Sequence, residues 1–119
     1  LQVIINIINN SKDEFERQEI KKKYIFIDLI EDKNDIEISI KDNAGGIEEK
    51  ILDKIFESHF TTKSKSKGTG IGLYMSREII QKHMKGKILV LNETYEYENE
   101  NYKGARFDIF LPKSEVNPI

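Results

Sequence analysis

Apolar residues at Leu1, Ile4, Ile5, Ile8 and Phe15 recur at the spacing of a helix that packs one face, and they predict a helix reaching to about residue 22. Its first turn is apolar and has no capping residue before it, so the pattern predicts that the natural sequence continues upstream. YIFIDLI (24–30) and IEISIK (36–41) alternate, are rich in β-branched residues and flank a turn-prone Asp32-Lys33-Asn34-Asp35; they predict an antiparallel hairpin. After the turn Asn43-Ala44-Gly45-Gly46, the residues Ile51, Leu52 and Ile55 predict a second helix over 48–56. The polar tract SHFTTKSKSKG then reads as a mobile loop. A third helix is expected over 69–83, with Ile71, Met75, Ile79 and Ile80 turned inward. KILVL (87–91) and ARFDIFL (105–111) predict two more strands, separated by ETYEYENENYKG as an acidic hairpin tip and stopped by Pro112. The tail SEVNPI is expected to fray. Strands arriving as neighbouring hairpins, without strict βαβ alternation, imply an α+β fold. The expected architecture is a two-layer sandwich with a mixed, mostly antiparallel sheet and three helices on one face, forming one domain over 1–119.

Composition narrows the function classes. The chain has 119 residues, 38% hydrophobic and 34% charged, enough for one modest core. No apolar run approaches the roughly 18 to 20 residues of a membrane-spanning helix, so no membrane contact by this chain is expected. With Cys at zero, disulfides, thiolate metal sites and a cysteine nucleophile are excluded, and a cytoplasmic setting is expected. Net charge is −2, without the basic excess of a nucleic-acid-coating protein.

Three clusters carry candidate chemistry. Asn6 and Asn10 stand one turn apart on one helix face, with Asp13 three residues further on. Asn6 is set among the apolar residues of VIINII, where an unsatisfied amide is costly and a polar face needs a reason. Asp42-Asn43-Ala44-Gly45-Gly46 ends a strand with a carboxylate followed by backbone able to take positive φ. Gly68-Thr69-Gly70-Ile71-Gly72-Leu73 opens a helix with three alternating glycines, and exposed N–H groups at a helix start suit phosphate. Neither the Walker spacing nor the Rossmann spacing fits that run.

In this order the clusters resemble the ATP-binding catalytic domain of sensor histidine kinases, in the superfamily shared with gyrase B, Hsp90 and MutL. The family's asparagine box, first glycine box, phenylalanine box and second glycine box read here NIINNSKDEF, DNAGGI, KIFESHFTTK and GTGIGL, and YMSREIIQKHMKGKI and GARFDIFLP also fit. The resemblance covers nearly the whole chain, and the short loop between Phe60 and Gly68 resembles the kinase branch. Ala44 stands where the family often has a glycine, and His59 where it often has an aromatic. Two strands that normally precede the first helix are absent from this sequence.

The resemblance implies that Asn10, with Asn6 behind it, ligates Mg²⁺ on the triphosphate of ATP. It implies that Asp42 accepts a hydrogen bond from the adenine amine, with Gly46 giving the base room. Thr61, Thr62, Lys63, Lys65 and Lys67 would form a lid over the phosphates, and Gly68, Thr69, Gly70 and Gly72 a phosphate cradle. Ile47, Phe56, Ile71 and Leu73 would floor the adenine pocket. The implied activity is transfer of the γ-phosphoryl group to a histidine on a separate dimerisation domain, which makes the protein a homodimer, and onward to a response regulator. His83 resembles a structural histidine, so no phosphoacceptor is expected within the chain, which should be inactive in autophosphorylation by itself. Two rival readings are a nucleotide-sensing module without catalysis and an ATP hydrolase of the gyrase or Hsp90 type, for which Asp13 or Glu14 would be the general base.

Overall fold

The structure, a computed structural model, describes residues 2–57 and 72–115. Helix α1 spans Gln2–Arg17 and buries Val3, Ile7, Ser11 and Phe15. The expected Phe15 is buried, the stripe otherwise runs one position before the expected Ile4 and Ile8, Ile5 is 41% exposed, and Leu1 lies outside the described residues. The helix stops short of residue 22 because Glu19 takes φ 54° and the Ile20 N–H donates to Phe15 O at 3.0 Å, a left-handed cap built without glycine.

Strands β1 (Ile25–Glu31) and β2 (Asp35–Asp42) form the expected antiparallel hairpin, with Ile27 opposite Ile40 and Leu29 opposite Ile38. The second expected helix is a 3₁₀ helix, Glu49–Lys54, with no side-chain cap hydrogen bond at its start. Helix α2 covers Gly72–Glu78 and widens into a π-helical turn, Ile79–His83. Its buried side chains are Ser76 and Ile80. Met75, expected to point inward, is 46% exposed; the inward stripe runs through 73, 76 and 80, so Met75 falls on the opposite side.

Strand β3 (Lys87–Tyr97) and strand β4 (Glu100–Pro112) are much longer than the expected 87–91 and 105–111, and only Glu98 and Asn99 remain as the turn. The stretch read as a polar tip is an alternating strand pair. Tyr95, Tyr97 and Tyr102 leave one face and meet Tyr24 and Phe26, with ring centroids 4.8 to 6.1 Å apart.

The sheet order is β1-β2-β4-β3, antiparallel throughout. Ile40, Phe107, Ile109 and Ile88 face the helices and form the core with Val3, Ile7, Ile55, Phe56 and Ile80. The architecture is the expected α+β sandwich. β2 pairs with β4 only from Lys41–Arg106 onward, so the outer half of the β3–β4 hairpin extends past the end of β2, beside Asp42.

Candidate functional site

Asp42 closes β2 and is 5% exposed. Its Oδ1 accepts from the Ala44 N–H at 3.0 Å and the Ala105 N–H at 3.1 Å, and its Oδ2 accepts from the Ser11 hydroxyl at 2.7 Å. The aspartate is therefore held by its own turn, by β4 and by α1. On the far side, the Tyr95 hydroxyl donates to the Asp42 carbonyl at 2.6 Å. Burial, reinforced by the Asp42 carboxylate, pushes the Tyr95 hydroxyl up to about 12. Gly104 lets β4 run this close, since a Cβ there would overlap the Asp42 carbonyl oxygen. A carboxylate oxygen has two lone pairs; with one engaged by Ser11, Oδ2 retains one for a further donor.

Asn10 immediately precedes Ser11 on α1 and is half-buried. Asn6, expected behind it at the metal, is engaged by neighbouring groups of the chain. Its amide donates to Gly72 O at 3.2 Å and Ser76 Oγ at 3.1 Å, and its Oδ1 accepts from Gln2 at 3.0 Å. Asn6 ties α1 to the start of α2, which accounts for an amide set among isoleucines. Asp13 is half-buried on α1. No group of three or more His, Cys, Asp or Glu side chains among the described residues could hold a metal ion. A cation at this face would therefore rely on a carboxamide oxygen such as that of Asn10, completed by oxygens that come with a ligand, which suits Mg²⁺.

Phe56 is 8% exposed, packs edge-on against Phe107 at 6.3 Å and belongs to the core, with Arg77 over its ring at 5.9 Å. Ile47 and Leu73 are half-buried and pack against the core's margin. Gly72 opens α2 with open space where a Cβ would lie. Thr61, Thr62, Lys63, Lys65, Lys67, Gly68, Thr69, Gly70 and Ile71 lie outside the described residues.

The turn after Asp42 is held by its own residues and by side chains from outside the motif. Gly45 and Gly46 have φ of 95° and 86°. The Gly45 N–H donates to Lys103 O at 2.9 Å, and Gln18 Nε2 donates to Ala44 O at 2.7 Å. Asn43 is buried, donates to Lys22 O at 2.7 Å and accepts from the Tyr24 N–H at 2.8 Å, fixing the entry into β1. Asn92 on β3 accepts from the Ile47 N–H at 2.7 Å and donates to Ile47 O at 2.6 Å. The space a Cβ would take at Gly46 lies 2.8 Å from Asn92 Oδ1, so the bare glycine makes room for this amide. Asparagine is unusual inside a strand, and that was the available signal for Asn92.

The sequence of residues 1–115 matches the family model described as histidine kinase-, DNA gyrase B- and HSP90-like ATPase. The chain belongs to that family. Among its relatives, the probable C4-dicarboxylate sensor kinase of Halalkalibacterium halodurans is 35% identical over 111 residues, covering 93% of this chain and 19% of the relative. Sporulation kinase A of Bacillus subtilis is 35% identical over 112 residues, covering 94% of this chain and 16% of the kinase. The nucleotide-free catalytic domain of histidine kinase ThkA superimposes with a TM-score of 0.71 at 30% identity, over 94% of this chain and 65% of that one. The chain is thus an ATPase-type domain of the kind found in sensor histidine kinases, and it spans under a fifth of the length of these two curated relatives. No helix among the described residues is long and apolar enough to cross a membrane.

Proposed function

We propose that the chain binds MgATP and presents the γ-phosphoryl group to a histidine on a separate dimerisation domain of a homodimeric, cytoplasmically facing sensor kinase, from which it passes to a response regulator. The observation that carries the reading is Asp42: a buried carboxylate whose Oδ1 is saturated by two backbone N–H groups and whose Oδ2 keeps acceptor capacity. An acceptor of that kind fits the exocyclic amine of adenine and opposes the carbonyl oxygen at the same position of guanine. Asn10 would hold Mg²⁺ together with phosphate oxygens and waters, the ion supplying charge neutralisation. Phosphoryl transfer asks the protein mainly for positioning and electrostatics, which agrees with a site made of a carboxylate, a carboxamide and glycine-rich backbone.

The test is calorimetric titration of the chain with MgATP and MgGTP. ATP should bind, GTP more weakly, and Asp42→Asn should cost ATP roughly 5- to 150-fold in affinity, the worth of one buried hydrogen bond. Equal affinity for the two nucleotides, or unchanged ATP binding in Asp42→Asn, would overturn the assignment.

A further inference from the structure

The Gly45-Gly46 turn between Asp42 and the 3₁₀ helix is a weak point of the site. Two consecutive residues at positive φ have no preference of their own for one geometry, because glycine samples many. Ile47 follows in a loop where, among the described residues, no strand pairs with its backbone. Asn92 supplies that pairing. Its amide meets both backbone groups of Ile47, as a neighbouring strand would, and its Nδ2 also reaches Glu49 Oε1 at 3.2 Å. Across the ladder Asn92 stands opposite Ala105, whose N–H donates to the Asp42 carboxylate. One asparagine thus sits between the two ends of the turn, touching Ile47 directly and reaching Asp42 through Ala105.

We infer that Asn92 is a positioning residue for nucleotide-base recognition: by clamping Ile47 it sets the turn that carries Asp42 and Gly46 against the base. The inference rests on the reading of Asp42 proposed above. Losing the clamp leaves the Ile47 groups unpaired and frees the turn. The effect should fall on contacts to the base, while contacts to phosphate, made elsewhere, are spared.

The experiment measures ATP and GTP affinity in the wild-type chain, in Asn92→Ala and in Asn92→Asp. Asn92→Asp keeps the side chain's size and its acceptor but loses the donor to Ile47 O. ATP affinity is expected to fall about tenfold in both variants, equal to about 1.4 kcal/mol, with GTP affinity changing less than about twofold. Discrimination between the nucleotides therefore shrinks. Because the ratio is taken within each protein, a smaller folded fraction does not alter it. A parallel fall for both nucleotides would mean Asn92 only supports the fold, and unchanged ATP affinity would mean the clamp is dispensable; either overturns the inference. Absence of discrimination in the wild-type chain would instead overturn the Asp42 reading, and this inference with it.

Discussion

At the scale of single residues, neighbours on one helix divide the work. Ser11 turns inward to Asp42, Asn6 turns along the helix layer to Gly72 and Ser76, and Asn10 lies between them in sequence. If Asn10 holds the cation, Asn10→Ala removes a metal ligand while Asp42 keeps all three of its donors. MgATP affinity should then fall at least tenfold while metal-free ATP binds nearly as before, a difference that calorimetry with and without Mg²⁺ resolves. Equal loss of both forms would mark Asn10 as a wall of the pocket. The motifs bring out Asp42 and Asn10 as candidates from the sequence, because their order and chemistry are fixed along the chain. The roles of Ser11, Asn43 and Asn92 are not legible there, because they depend on which backbone groups long-range pairing brings beside them. The hydrogen bonds of Asn6 are hidden for the same reason: helical spacing places it on Asn10's face, but one of its partners is 66 residues away.

Among the elements, the sheet followed its alternating pattern closely and the helices did so less well. β1 and β2 deviate from the expected spans by one residue at each end, as period-two patterning with a turn between would give. The short helices adopted 3₁₀ and π forms that apolar spacing cannot distinguish from α. The β3–β4 hairpin is longer than its acidic composition suggests because the acidic residues alternate with tyrosines, whose shared face packs against Tyr24 and Phe26. Its turn is a local compromise, with Glu98 at φ 49° and Asn99 at φ 65°. Two positive φ values suit the twist of a two-residue hairpin but call for Asn-Gly, and a left-handed residue other than glycine costs roughly 1–2 kcal/mol. Glu98→Asn combined with Asn99→Gly should therefore raise stability by about 1 kcal/mol, seen as a higher urea midpoint at unchanged slope. A lower midpoint would show that Glu98 makes a contact worth more than the strain it carries.

Across the whole molecule, the layer of helices does not cover the sheet evenly. On the helix-facing side of β1, Ile27 is 52% and Leu29 68% exposed, although their partners Ile40 and Ile38 lie in or against the core. Beside Ile38, an apolar cleft opens between the start of α1 and the π turn, lined by Val3, Ile4, Ile79 and Met84. Together these form an apolar strip along an edge strand whose outer backbone groups have no partner in the four-stranded sheet, a combination that favours association. Of the acidic residues within β1, Asp28 falls on the opposite face, and Glu31, next after Leu29 on the same face, is paired with Lys113 at 2.7 Å. The chain should therefore sediment as larger species as its concentration rises. Leu29→Lys places a charge at the most exposed of these positions and should keep it monomeric, without a loss of stability beyond about 0.5 kcal/mol, because a side chain so exposed contributes little to the core. A wild-type chain that stays monomeric at high concentration, or a Leu29→Lys variant that associates equally, would show that this edge is not adhesive.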